Sequence, residues 1–216
     1  MTLPFRFYLI TDRLHGRHEP GGWLPRLAQA GLRAVQVRER DLAPGALFSL
    51  AAQWRDAVQA QAPGAGLRFF LNDRADLALS LGFAGVQLRE DSLPLALHAA
   101  ALRERLSFGV SCHSVQGVLG AGQAGAAFAT FGPVYETASK AAYGPPVGTR
   151  LLEQAARALD SAGSRLPLLA LGGVTPERVK ACREAGAWGV AAISAVWDAE
   201  DPVAALGRFA EELGGL

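Results

Sequence analysis

Eight short apolar runs, each followed by a longer Ala/Leu-rich run, repeat along the chain, and this alternation leaves few folds open. The strand-like runs fall at 7–10, 34–38, 68–71, 85–88, 107–111, 127–131, 168–171 and 189–193, with helix-like runs between them such as 44–62, 94–106, 151–162 and 176–185. Several strand-like runs are apolar at consecutive positions, as in Leu168-Leu169-Ala170-Leu171. That pattern suits parallel strands covered on both faces. Strict βα alternation implies a parallel sheet. Eight units in 216 residues fit a compact (β/α)8 TIM barrel, although an open doubly wound sheet satisfies the same pattern. No Gly/Pro-rich stretch reads as a linker, so one domain is expected over 1–216.

The strand-like runs end in polar clusters, which favours the barrel: Thr11-Asp12, Arg38-Glu39-Arg40, Asn72-Asp73, Arg89-Glu90-Asp91 and Ser111-Cys112-His113. In a closed barrel all such ends converge on one rim, where chemistry takes place. Each cluster alone is equally readable as a helix cap or a solvated turn. The charge balance, 21 basic against 20 acidic side chains, gives no basic surplus for nucleic acid or an anionic membrane. An anion site must therefore be local. Two cysteines, Cys112 and Cys182, offer neither a disulfide framework nor a CxxC metal spacing, which points to a reducing cytoplasm. Residues 1–12 do not read as a signal peptide, and no uninterrupted apolar stretch is long enough for a membrane span.

Gly172-Gly173-Val174-Thr175-Pro176 follows the seventh strand-like run and opens a helix-like one, with Thr175 suited to the N-cap and Pro176 to the first turn. The eighth run ends in Ile193-Ser194. Loops at these two places often bind phosphate through backbone N–H groups. Period-two alternation puts Gln36, Arg38 and Arg40 on one face of the second strand, where guanidinium forks would suit phosphate oxygens. Asp73 is a candidate Mg²⁺ ligand, but Asn72 or Asp73 serves equally as a helix cap. Ser111 and His113 share a strand face, without the closing glycine of a nucleophile elbow. Thr137, Ser139 and Lys140 sit in a long connection that reads as a binding loop or lid. Gly120-Ala-Gly122-Gln-Ala-Gly125 spells GxGxxG but precedes a strand instead of following one, which is the wrong order for a dinucleotide. His15 and His18 have no companion ligands.

Taken in order, Tyr8–Asp12, Gln36–Arg40, Asn72–Ala78, Gly85–Leu88, Ser111–His113, Phe131–Lys140, Gly172–Thr175 and Ile193–Ala195 resemble the thiamine phosphate synthase/TenI family over nearly the whole chain. The resemblance implies a (β/α)8 barrel that couples hydroxymethylpyrimidine diphosphate with thiazole phosphate and releases pyrophosphate. It implies that Gln36, Arg38, Arg40, Asn72, Ser111 and Lys140 hold the diphosphate substrate, with Arg38, Arg40, Ser111 and Lys140 next to the chemistry. Thr137, Ser139, Gly172, Gly173, Ile193 and Ser194 would hold the thiazole phosphate, and Asp73 would bind Mg²⁺. His113 is a further substrate-side candidate, and Asp91 a second metal candidate. The chain departs from the patterns of the family at three places, two of the synthase and one of the tautomerase. Arg40 replaces a lysine, Ser92 stands where a second metal aspartate aligns (Asp91 is one residue early), and Pro133 takes the place of the histidine that TenI-type thiazole tautomerases use. A thiazole tautomerase and a non-catalytic thiazole-phosphate-binding paralogue are the alternatives, and oligomeric state is left open.

Overall fold

The computed structural model describes residues 3–137 and 146–216. Strands β1 (Phe7–Ile10), β2 (Ala34–Val37), β3 (Arg68–Asn72), β4 (Gly85–Leu88), β5 (Ser107–Cys112), β6 (Phe128–Phe131), β7 (Leu168–Ala170) and β8 (Gly189–Ala192) pair in parallel in chain order. Closure comes from β1 against β8, with Tyr8 opposite Ala191. The (β/α)8 barrel expected from the alternation is thus the fold, and the open sheet is excluded.

Around it lie α1 (Pro20–Gln29), α2 (Pro44–Gln61), α3 (Ala75–Ser80), α4 (Ala100–Arg105), α5 (Val115–Gln123), α6 (Gly148–Ser161), α7 (Pro176–Glu184), α8 (Ser194–Trp197) and α9 (Pro202–Leu213). The single helix expected over 94–106 is instead a 3-10 turn, Leu95–Leu97, followed by α4. His98 and Ala99 between them are extended, and α4 buries no residue, so neither a cap nor a core face joins the two pieces. Gly120 and Gly122 of the GxGxxG string lie within α5, which disposes of a dinucleotide loop there. No helix among the described residues is long and apolar enough to cross a membrane.

Alternation along each strand builds two cores. Outward residues such as Phe7, Leu9, Val35, Leu71, Val86, Phe108 and Val190 pack under the helices. Inward ones form a plug of Phe5, Tyr8, Phe70 and Phe128 with Ala34, Leu169 and Ala191. The ring centroids of Tyr8 lie 5.5 Å from Phe70 and 5.2 Å from Phe128, both edge-on, the arrangement ring quadrupoles favour. Phe70 sits opposite Gly85 and Phe128 opposite Gly109, so each large ring is met by a residue without a side chain. One step further along the strands the lining turns polar: Gln36, Asn72, Gln87, Ser111 and Thr130. The aromatic plug fills the barrel, and this polar layer is the floor of its carboxyl-terminal mouth.

Candidate active site at the barrel mouth

The floor is a chain of side-chain hydrogen bonds that runs across strands. Gln36 Nε2 donates to Asn72 Oδ1 (3.0 Å), and Gln87 Nε2 donates to Ser111 Oγ (3.1 Å) and Thr130 Oγ1 (3.3 Å). Fixed in this way, the groups are pre-arranged before a ligand arrives. Gln87 and Thr130 belong to the site although the sequence reading passed them over. Their signal was a polar residue in the middle of an apolar strand, and both are buried.

Above the floor, contacts link one strand end to the next. Thr11 Oγ1 accepts from the Arg38 backbone N–H (3.0 Å) and donates to Glu39 Oε1 (2.6 Å). Glu39 is buried, which pushes its carboxyl pKa up, while the Thr11 hydroxyl, the Arg13 N–H and the Arg13 guanidinium pull it down. It ties the β1 and β2 loops together and fixes the backbone at Arg38, a role the sequence gave no sign of. Arg38 is half-buried just beyond β2. Arg40 does not share its face as expected: β2 ends at Val37, the chain turns at Arg40, and period-two alternation lapses with the strand.

Asp73 follows β3 at φ 61°, the only described non-glycine residue in the left-handed region. Its N–H bonds Gln87 O (3.0 Å), and its carboxylate accepts from the Ser92 hydroxyl, which itself accepts from the Arg89 N–H (2.8 Å). Backbone strain of this kind clusters at functional sites. Asp91 does not join it: that carboxylate is exposed and paired with Arg89. The one-residue offset therefore brings Ser92, not Asp91, to Asp73. Among the described residues no group of three or more His, Cys, Asp or Glu converges. A single carboxylate with a neighbouring hydroxyl fits Mg²⁺, which is commonly held by one or two carboxylates together with substrate phosphates, and does not fit a cage made by protein alone.

His113, beyond β5, directs Nδ1 to the Gly132 carbonyl and places Nε2 3.9 Å from Glu90 Oε2. The neighbouring Cys112 points outward and is buried, its pKa pushed up to about 12 chiefly by burial and then by Glu90. From β6 the chain reaches across to β7: Val134 N–H bonds Leu171 O (2.8 Å) and Tyr135 N–H bonds Gly172 O (2.9 Å). Gly172 and Gly173 have φ of 97° and 61°. Their carbonyls are turned to β6 and α7, while the N–H groups of Gly172, Gly173 and Val174 have no hydrogen-bond partner among the described residues, nor do those of Ile193 and Ser194 after β8. Gly172 and Val174 are buried and Gly173 and Ile193 half-buried, settings in which amides rarely stay unpaired, while Ser194 is exposed. The five stand at two adjacent strand ends, an arrangement suited to an anion. Trp197 closes the circuit, its indole N–H on Ile10 O (2.7 Å) fixing α8 against β1. Thr137 is at the last described position of the β6 loop, and Ser139 and Lys140 lie outside the described residues.

A sequence profile described as thiamine monophosphate synthase matches residues 7–196. The chain belongs to that family. A Geobacter sulfurreducens relative is 40% identical over 203 residues, covering 92% of this chain and 89% of its own. The thiamine-phosphate synthase of Bacillus velezensis is 38% identical over 210 residues, covering 95% and 89%. Among solved structures, thiamine phosphate pyrophosphorylase from Pyrococcus furiosus superposes with a TM-score of 0.82 at 25% identity, covering 97% of this chain and 95% of that one. Gln36, Arg38, Asn72, Asp73, Ser111, Gly172, Gly173, Ile193 and Ser194 all stand at the carboxyl-terminal ends of β2, β3, β5, β7 and β8, and Arg40 and Asp91 lie in the turns beyond them.

Proposed function

We propose that the chain is a thiamine-phosphate synthase, a transferase of thiamine biosynthesis, acting as one barrel domain. It joins the thiazole phosphate nitrogen to the methylene carbon of hydroxymethylpyrimidine diphosphate. The C–O bond to diphosphate breaks, the leaving group keeps the electron pair, and the nitrogen lone pair forms the new C–N bond. The observation that carries this reading is the set of five unpartnered amides after β7 and β8, at the same barrel mouth as Asp73 and Arg38. With a net charge of only +1 the chain has no general attraction for anions, so local groups at the strand ends of one mouth support this reading.

In this reading the amides after β7 and β8, with Thr137 and Ser139, hold the phosphate of the thiazole. Gln36, Asn72 and Ser111 hold the pyrimidine diphosphate, with Arg38 and Lys140 on its phosphates, and the His113 ring borders that half of the mouth. Mg²⁺ held at Asp73 would neutralise charge as diphosphate departs. The floor and cradle set the nitrogen against the carbon, which is most of what such a displacement requires. Purified protein given Mg²⁺ and both phosphorylated substrates should release pyrophosphate and form the coupled product, and Asp73→Ala should abolish both. Proton exchange on the thiazole without coupling would replace this reading with a tautomerase, and binding without turnover would replace it with a non-catalytic binder.

A further inference from the structure

Arg178 occupies the third position of α7, where the helix dipole disfavours a cation, and next to it stands Glu177, the acidic residue that place favours. The guanidinium is exposed, yet it is turned back onto the loop. Its Nη1 donates to the Gly173 carbonyl (2.5 Å), and its carbon lies 4.5 Å over the Tyr135 ring. Tyr135 is pressed against the same turn: a Cβ on Gly173 would fall 2.9 Å from Tyr135 Cβ and 2.4 Å from Glu136 O. Three successive carbonyls are thereby held, Leu171 by Val134, Gly172 by Tyr135 and Gly173 by Arg178. In a trans peptide the N–H points opposite to the C=O. Fixing these three carbonyls fixes the direction of the Gly172, Gly173 and Val174 amides.

We propose that Arg178, braced on Tyr135, is a positioning residue that presets the diglycine amides for the phosphate of the thiazole substrate, acting through the Gly173 carbonyl and not by contact with the ligand. The assignment rests on the synthase reading for the identity of that substrate, but not for the presence of a phosphate.

Arg178→Met keeps the aliphatic stem and removes the donor and the stacking face. It is expected to raise the Kd for inorganic phosphate, measured by titration, and the KM for thiazole phosphate about tenfold. The KM for the pyrimidine diphosphate and kcat should stay within twofold. The variant-to-wild-type ratio should hold from low salt to about 0.5 M KCl, because a hydrogen bond within the protein is not screened as an exposed charge on a ligand is. Arg178→Lys keeps a charge and a donor without the planar face, and should fall between the two. It serves as the test if Arg178→Met does not fold. A change below twofold, a parallel rise for both substrates, or a ratio that collapses with salt would overturn the proposal. If wild type makes no coupled product yet its phosphate affinity depends on Arg178 in this way, the synthase reading fails and the positioning role stands.

Discussion

Gly172→Ala is the sharpest test of the cradle, because two separable penalties meet at that residue. Its φ of 97° lies where side chains are rarely accommodated, and a Cβ there would come within 2.5 Å of both Cα and Cβ of Pro133. Positive φ in an L-residue costs about 1–2 kcal/mol. Forcing an extra carbon against fixed backbone adds about 1–3 kcal/mol. The variant should therefore lose about 2–5 kcal/mol of stability, a fall in Tm of about 4–20 °C for a chain of this size. Gly64→Ala is the control. Its φ is 79° and nothing lies within 4 Å of the added carbon, so only the first penalty applies. Urea unfolding of both variants separates strain from collision, and phosphate titration reads the consequence for the site. The turn can escape the collision only by moving the amides after β7, so Gly172→Ala should also weaken phosphate binding more than tenfold, while Gly64→Ala leaves it unchanged. Equal stability losses, or unaltered phosphate affinity in Gly172→Ala, would refute the close packing of the β6 and β7 loops as the device that shapes the cradle.

Ser92→Asp places a second carboxylate against Asp73; the Mg²⁺ concentration for half-maximal activity should fall several-fold, and Tm in EDTA should drop through like-charge repulsion, whereas unchanged values would remove Ser92 from the metal side of the site. For Glu39, burial raises the folded-state pKa, so the folded chain keeps a proton that the unfolded chain has lost. Its contribution is greatest below the ordinary carboxylate value and declines as pH rises through the raised one. Glu39→Gln should remove that decline, with the stability difference moving in favour of the variant as pH rises from the ordinary carboxylate range through the raised value in urea titrations; a constant difference would contradict the assignment. Both thiols are buried and burial raises the pKa of each, so a disulfide reagent at pH about 8 should find neither in the native protein and both after denaturation.

The barrel was legible because its strands are buried on both faces. Runs such as Leu168-Leu169-Ala170 carry the parallel-sheet pattern in their own composition, and seven of the eight expected runs begin at the residue where the strand begins. The exception, 127–131, starts one residue early. What failed depended on where pairing stops. The alternation Gln36, Arg38, Arg40 holds only while the chain is a strand, and the end of β2 at Val37 is a property of the sheet, not of that segment. The run 94–106 failed for the converse reason: its Ala- and Leu-rich composition favours a helix everywhere, but nothing in the fold gives it a continuous face to bury.

The site shows the same division between what a segment says and what its neighbours add. Gly172-Gly173 was readable as a phosphate loop because glycine, strand end and Pro-initiated helix are local signals. Glu39 and Arg178 were not, although each touches a residue that was, and Ser92 was marked only as the place of a missing aspartate. A charged side chain in the first turn of a helix reads as solvated surface, and only its hydrogen bond to a carbonyl five residues earlier makes it part of the phosphate loop. Likewise, Asp91 carries the right charge for a metal site and Ser92 does not, yet the turn after β4 brings the hydroxyl to Asp73 and pairs the carboxylate with Arg89. Residue type alone favoured Asp91. The direction of one turn decides for Ser92, and it leaves any Mg²⁺ at this mouth to draw most of its ligands from the diphosphate it accompanies.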